Sequence, residues 1–103
     1  MIKADPANTL FRSQVAVQFT ATGRIRLNMG DKQGALADLK QGLSIAESLL
    51  KADPNDTSAR RLVGVSYRQI AEALASTGDL TGGLQNFHKA QQIFAELVAK
   101  DPQ

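Results

Sequence analysis

Hydrophobic side chains recur along this sequence at intervals of three and four residues, which is the period of an amphipathic helix. One such stripe contains Leu36, Leu39, Leu43, Ala46 and Leu50. A second stripe lies later in the chain and contains Leu84, Phe87, Gln91, Phe94 and Val98. Gln91 is its single polar residue, so the pattern predicts two long helices that each bury one face.

Leu36 and Leu84 lie about 48 residues apart, and the same spacing relates the rest of the chain. We call this spacing the repeat offset. The sequence KADP begins at Lys3 and again at Lys51, and the shorter KDP begins at Lys100. The same register aligns Phe19 with Tyr67. Because turn residues and core residues repeat together, we interpret the chain as an internal repeat.

We interpret the whole chain, 1–103, as a single domain, with repeat 1 at about 5–52 and repeat 2 at about 53–100. The length of 103 residues and the hydrophobic fraction of 43% suit one small helical core. The chain enters the repeat partway through, so we expect it to come from a larger parent protein.

Short polar residues and prolines mark the start of the first helix in each repeat. Asn8 and Asp56 follow the two DP sequences, and we expect them to cap the N-termini of these helices. Pro6 and Pro54 disfavour helical geometry in the residue before them, so a preceding helix has to end there.

The sequence Gly-Asp marks the turn within each repeat. Gly30 and Gly78 suit a left-handed C-cap, and Asp31 and Asp79 suit the N-cap of the next helix. Helices of about 20 residues joined by such short turns lie antiparallel. The expected architecture is all-α, with two stacked antiparallel helix hairpins, four helices in total, forming a short α-solenoid.

The residues around Gly78 resemble the tetratricopeptide repeat (TPR) in their order of large and small side chains. They are Tyr67, Ile70, Ala71, Leu74, Gly83, Phe87 and Ala90. In the first repeat, Thr22 and Arg26 stand where the family has aliphatic or aromatic residues. The resemblance implies a TPR-like superhelix in which Leu74 and Phe87 belong to the core.

The repeat, at about 48 residues, is longer than the usual TPR unit of about 34. In this respect the chain is similar to a long TPR variant found as tandem arrays in large bacterial proteins. Some of those arrays are joined to a serine/threonine kinase or another signalling domain.

The TPR resemblance implies that the first helix of each repeat lines a concave groove for a peptide or a partner helix. The matching positions are Val17, Thr20, Ala21, Arg24 and Asn28 in repeat 1 and Val65, Arg68, Gln69, Glu72 and Ser76 in repeat 2. Arg12, Arg60 and Arg61 are expected to extend the groove wall. The candidate binding residues are Thr20, Arg24, Asn28, Arg61, Arg68, Gln69 and Glu72.

The arginines of this groove favour an acidic peptide, because a guanidinium group binds a carboxylate through two hydrogen bonds. The simpler alternative is that these are ordinary solvated positions, with Glu72 paired to Arg68 one helical turn away. The family's groove for a terminal carboxylate has Lys and Asn where this chain has Thr20 and Arg24, so we do not expect that specificity.

The residue pattern gives no support for catalysis or cofactor binding. The chain has no Cys, and its one histidine, His88, has no second metal ligand one helical turn away. Gly82 and Gly83 lack the flanking sequence of a phosphate-binding loop, and close helix packing explains Gly83 better. We therefore predict no enzyme, no metal site and no cofactor.

Charge and hydropathy also bear on the class of partner. The net charge is only +2, and no cluster of Lys and Arg interleaved with aromatic residues indicates nucleic acid. The longest stretch without Asp, Glu, Lys or Arg is 13–23, which is shorter than the roughly 20 residues of a membrane-spanning helix.

The leading interpretation is a non-enzymatic protein–protein interaction module that presents a rigid groove to a protein or peptide. Two alternatives stay open: a regulatory segment of a bacterial signalling enzyme such as a serine/threonine kinase, and a structural or oligomerisation spacer. Apolar residues at the two ends of the stack also predict self-association as a dimer; they are Leu10, Phe11, Val15, Phe94 and Val98.

Overall fold

The computed structural model describes residues 6–100, and within this range the fold is all-α. The four helices are α1 (Pro6–Asn28), α2 (Lys32–Ala52), α3 (Thr57–Ser76) and α4 (Leu80–Lys100). The prediction of four helices is confirmed. The first and last copies of the DP sequence include Asp5, Asp101 and Pro102, which lie outside the described residues.

The repeat offset found in the sequence also relates the helix boundaries. Shifting α2 by this offset gives both the first and the last residue of α4. The same shift takes the last residue of α1, Asn28, to the last residue of α3, Ser76. The two helix hairpins, α1–α2 and α3–α4, are therefore equivalent in their turn geometry.

Both hairpin turns form as expected from their Gly-Asp sequences. Gly30 and Gly78 have φ angles of 90° and 96°, a region that favours glycine. The backbone N–H of Asp31 donates to the carbonyl of Arg26 at 2.9 Å, the long hydrogen bond of a Schellman motif. The Asp31 carboxylate then accepts from the N–H of Gly34 at 2.9 Å and so caps α2.

The second hairpin repeats these contacts. The N–H of Asp79 donates to the carbonyl of Leu74 at 3.0 Å, and the Asp79 carboxylate accepts from the N–H of Gly82 at 2.9 Å. The caps expected at Asp31 and Asp79 are confirmed.

The two DP sequences do not start their helices in the same way. Asp56 caps α3, accepting a hydrogen bond from the N–H of Ala59 at 3.1 Å, as expected. The cap expected at Asn8 is wrong, because α1 already begins at Pro6. Proline suits the first position of a helix, since its φ angle is preset and the N–H that it lacks has no helical partner there.

α3 is the central helix of the stack. It contacts α4 along the hairpin and also packs against α2 and, to a smaller extent, against α1. Within residues 6–100, α4 contacts no helix other than α3. The helices therefore form an open stack of two hairpins, with α1 and α4 at its ends, rather than a closed four-helix bundle.

The centre of the core lies between the hairpins. Leu39 of α2 is fully buried against Ile70 and Ala73 of α3. Partly buried side chains surround this cluster: Leu27, Leu36, Leu43 and Leu74. Because residues of both hairpins contribute, the cluster fixes how one hairpin sits on the other.

Glycines allow the helices of each hairpin to approach closely. A Cβ atom on Gly23 would lie 2.8 Å from the side chain of Leu39, too close for an unshifted contact. A Cβ atom on Gly83 would lie 3.1 Å from the carbonyl oxygen of Ala71. Close helix packing, the explanation expected for Gly83, is confirmed.

The expected core position of Phe87 is wrong. Phe87 is the repeat equivalent of Leu39, but its side chain is 37% exposed. The physical reason is that Leu39 is covered by α3, whereas no helix in the described part of the chain packs on the corresponding face of α4. Leu74, the other residue expected in the core, does pack against the central cluster.

The position of the core predicts the effect of truncating Leu39. Leu39→Ala leaves a cavity between the hairpins and should lower the free energy of unfolding by about 3 kcal/mol. Leu84→Ala is the matched control, because Leu84 is largely exposed and should change stability little. Urea denaturation followed by circular dichroism measures both values, and equal losses would contradict this location of the core.

Candidate functional site

A cleft of about 590 Å³ lies between α1 and α3. Its lining combines hydroxyl groups, apolar side chains and one arginine: Ser13, Val17, Thr57, Ser58, Arg61, Leu62 and Val65. Three of these residues, Val17, Arg61 and Val65, are groove positions named from the sequence. We call this the α1–α3 cleft.

The exposed stripe of α3 continues from this cleft along the helix. Arg68 lies seven residues after Arg61, and Glu72 lies eleven residues after Arg61. These spacings keep the three side chains on one face of the helix. All three side chains are exposed. On α1, the exposed residues Arg24 and Asn28 follow Val17 at the same two intervals.

Three arginines have no ion pair or hydrogen bond within residues 6–100. They are Arg24, Arg61 and Arg68, and all three belong to the candidate site. Glu72 also has no partner in this range, so the expected pairing of Glu72 with Arg68 does not form. The exposed charges on this face are therefore unpaired within the described residues.

Arg12 and Arg60 do not extend the groove wall as expected. Arg12 donates a hydrogen bond to Ser48 of α2 at 2.8 Å. Arg60 pairs with Glu96 of α4 at 3.1 Å and also donates to the Pro54 carbonyl at 2.9 Å. Each arginine therefore faces the second helix of its own hairpin, and the two contacts are equivalent under the repeat offset.

Thr20 and Gln69 are also not on an open surface. Thr20 is only 6% exposed, because its methyl group packs at Gly42 of α2. Its hydroxyl donates to the carbonyl of Val17 at 2.8 Å. Gln69 is 9% exposed, and its Oε1 atom is buried without a hydrogen-bond partner. Of the seven candidate residues, the five that remain accessible are Arg24, Asn28, Arg61, Arg68 and Glu72.

A polar contact that the sequence did not indicate joins the hairpins at Tyr67. Its hydroxyl donates to Glu47 of α2 at 3.0 Å, and Lys89 of α4 lies 5.4 Å from the ring centroid. Burial, together with the adjacent Glu47 carboxylate, raises the pKa of Tyr67 above its ordinary value. The alignment of Tyr67 with Phe19 shows only an aromatic position and gives no sign of this hydrogen bond.

The outer side of α1 carries a second cleft, of about 410 Å³. Its lining includes two aromatic rings and several polar groups: Phe11, Gln14, Val15, Gln18, Phe19, Thr22 and Asp38. Thr22, one of the two departures from the TPR pattern, is exposed here.

Arg26, the other departure from that pattern, joins two carboxylates. Its Nη1 donates to Asp31 at 3.1 Å, and its Nε lies 2.8 Å from Asp38 Oδ2, an ion pair without the alignment of a hydrogen bond. The pKa of Asp31 is lowered, first by the hydrogen bond from the Gly34 N–H and then by Arg26.

Other chemistry is sparse within residues 6–100. His88 is exposed on α4. No group of three His, Cys, Asp or Glu residues in this range is arranged to hold a metal ion. None of the four helices combines the length and the hydropathy that crossing a bilayer requires.

Comparisons of the chain with protein families, with characterised proteins and with solved structures found no match.

The environment of Tyr67 predicts its titration. The chain has one Tyr and no Trp, so the ultraviolet absorbance of phenolate reports on Tyr67 alone. The midpoint should lie above the ordinary value of about 10. Glu47→Gln should lower the midpoint only in part, because burial, the larger cause, remains. Glu96→Gln is the control and should leave the midpoint unchanged.

The same shift sets the sign of a pH effect on stability. The folded chain favours the protonated phenol, so Tyr67 contributes to the free energy of unfolding. This contribution is complete below the ordinary tyrosine pKa and is lost as the pH rises through the raised pKa. Tyr67→Phe should remove this loss of stability at alkaline pH. A wild-type titration midpoint at or below the ordinary value would contradict the partial burial of Tyr67 and its hydrogen bond to Glu47.

Proposed function

We propose that this chain is a non-enzymatic protein–protein interaction module, a TPR-like domain spanning 1–103 that binds an acidic peptide in the α1–α3 cleft. The observation that carries the proposal is the set of unpaired arginines beside an open, partly apolar cleft. The chain acts by presenting this surface on a preformed helical stack, so most of the conformational entropy lost on binding is that of the peptide.

Several features of the helix packing support the TPR-like arrangement. The first helix of the second hairpin contacts both helices of the first hairpin, and α4 contacts α3 alone. Such a pattern fits repeats that add along one direction. Gly23 and Gly83 stand where helices of a hairpin come closest, as the small positions of that family's pattern require.

The composition of the cleft supports an acidic peptide with some apolar side chains. Val17, Leu62 and Val65 give the cleft an apolar floor. Arg61 lies on its wall, and Arg24 and Arg68 continue the positive charge along the two helices. Arginine suits this task because its planar guanidinium binds a carboxylate through two hydrogen bonds and holds its charge at any physiological pH.

Charge reversal at Arg61 tests this proposal. The probe is a fluorescein-labelled peptide of alternating Glu and Leu, measured by fluorescence anisotropy. Arg61→Glu should weaken its affinity by about tenfold or more, the loss of roughly one charge-assisted hydrogen-bonded pair. Lys40→Glu is the matched control: it makes the same change of charge at an exposed residue of α2 outside the cleft.

The control should bind the peptide with nearly wild-type affinity at the same salt concentration. Equal losses in both variants would mean that only net charge matters and that the cleft is not the site. No binding to the wild type at low salt would reject the acidic-peptide proposal. Circular dichroism of each variant checks that the helices are intact.

A further inference from the structure

The exposed large apolar residues of the described chain lie on the two outer helices, α1 and α4, and in the turn after α1. On or just after α1 they are Leu10, Phe11, Val17, Ile25 and Met29, and on α4 they are Leu80, Leu84, Phe87 and Val98. The inner helices, α2 and α3, contribute none. Leu10 and Val17 follow the stripe of the α1–α3 cleft, and Val98 borders a cleft that α4 forms with Thr57 and Arg61 of α3.

Two apolar surfaces follow from this distribution. The α4 end face consists of Leu80, Leu84, Phe87, Phe94 and Val98, with the exposed Gln91 as its one polar residue. The α1 end face consists of Phe11, Val15, Phe19, Thr22 and Ile25, together with Arg26, whose charge is paired with Asp31 and Asp38. Exposed apolar side chains gathered on one face of a protein mark a site of association.

The end faces are repeat equivalents of the two surfaces that already pack together inside the chain. The repeat offset takes Leu39 of α2 to Phe87 of α4. The same offset takes Thr22 and Ile25 of α1 to Ile70 and Ala73 of α3. Leu39, Ile70 and Ala73 form the centre of the core, so the internal contact is a template for a contact between the end faces.

We propose that the chain associates head to tail with further copies of itself, the α1 end face of one copy packing on the α4 end face of the next. A contact between two different faces leaves one of each free in every dimer. Assembly therefore continues beyond the dimer into a linear stack. The proposal does not depend on a peptide in the α1–α3 cleft.

Side-chain size and polarity make this contact weaker than its internal template. Phe11 and Ile25 replace the alanines at 59 and 73, so the helices have to lie further apart at the junction. Thr22 replaces Ile70 and adds a polar group to the α1 end face. We therefore expect association at high protein concentration, in rapid exchange with the monomer.

The polar ties of the internal contact are absent at the ends. Inside the chain, Tyr67 donates a hydrogen bond to Glu47. At the end faces the equivalent positions are Phe19 and Ala95, which cannot form this bond. Inside the chain, the Lys32 ammonium donates to the carbonyl of Ser76. The α4 end face has the apolar Leu80 at the position equivalent to Lys32, so this hydrogen bond is lost as well. Because apolar burial carries the end contact, added salt should not weaken self-association, whereas it should weaken an acidic peptide bound in the cleft.

Two charged variants, each blocking one end face, test whether the contact is head to tail. Phe11→Asp blocks the α1 end face and Leu84→Asp blocks the α4 end face; these side chains are 63% and 60% exposed, so both variants should fold. By light scattering, the wild-type mass should rise with concentration past that of a dimer. Each variant alone should stay monomeric, and their equimolar mixture should form a dimer and nothing larger.

Val17→Asp is the matched control. Val17 is an exposed apolar residue of α1 that lines the cleft rather than an end face, so this variant should associate like the wild type. Circular dichroism verifies helix content in all three variants, and replacing Leu84 by Asn in place of Asp provides a second block if the charge unfolds the chain.

Three results would overturn the proposal. A wild type that remains monomeric up to millimolar concentration would show that the end faces do not bind each other. Dimerisation of one blocked variant alone would show a symmetric contact between identical faces. Loss of association in Val17→Asp would place the contact in the cleft. A failure to bind the Glu-Leu peptide has no bearing on these masses, so the two proposals fail separately.

Discussion

The packing of α3 on α2 is the contact on which the rest of the structure depends. Within the described residues, α3 alone touches all three other helices, and α4 contacts only α3. The centre of this contact is small: Leu39 against Ile70 and Ala73. The width of the α1–α3 cleft and the separation of the two end faces both follow from how α3 sits on the first hairpin.

The two repeats share their backbone geometry but differ in what covers them, and their sequences differ accordingly. α3 packs on α2 and carries Ile70 and Leu74 on that face. The equivalent face of α1 has no such neighbour in the described residues, and it carries Thr22 and Arg26, which is paired with two carboxylates. The departures of repeat 1 from the TPR pattern thus coincide with exposure rather than with a defect in packing.

Most local features could be predicted from the sequence, with the start of α1 as the exception, whereas several features that depend on a neighbouring helix could not. The Gly-Asp turns and the ends of α2 follow from backbone preferences that act within a few residues. The burial of Thr20 depends on Gly42, on the next helix, and the pairing of Arg60 depends on Glu96. Phe87 shows the converse: its place in the apolar stripe predicts burial, but no helix within residues 6–100 lies over it.

The direction in which a side chain points along the stack decides whether charge is tolerated. Residues such as Arg61, Arg68 and Glu72 point sideways, out of the stack, where water solvates them whatever lies above or below. Residues such as Phe87 lie on the end faces, where an unpaired charge would oppose the packing of a further hairpin. The charge that α1 carries on its end face, Arg26, is paired with two carboxylates. The described stack therefore has two kinds of surface: charged sides that water solvates, and largely apolar end faces that a neighbouring hairpin could cover.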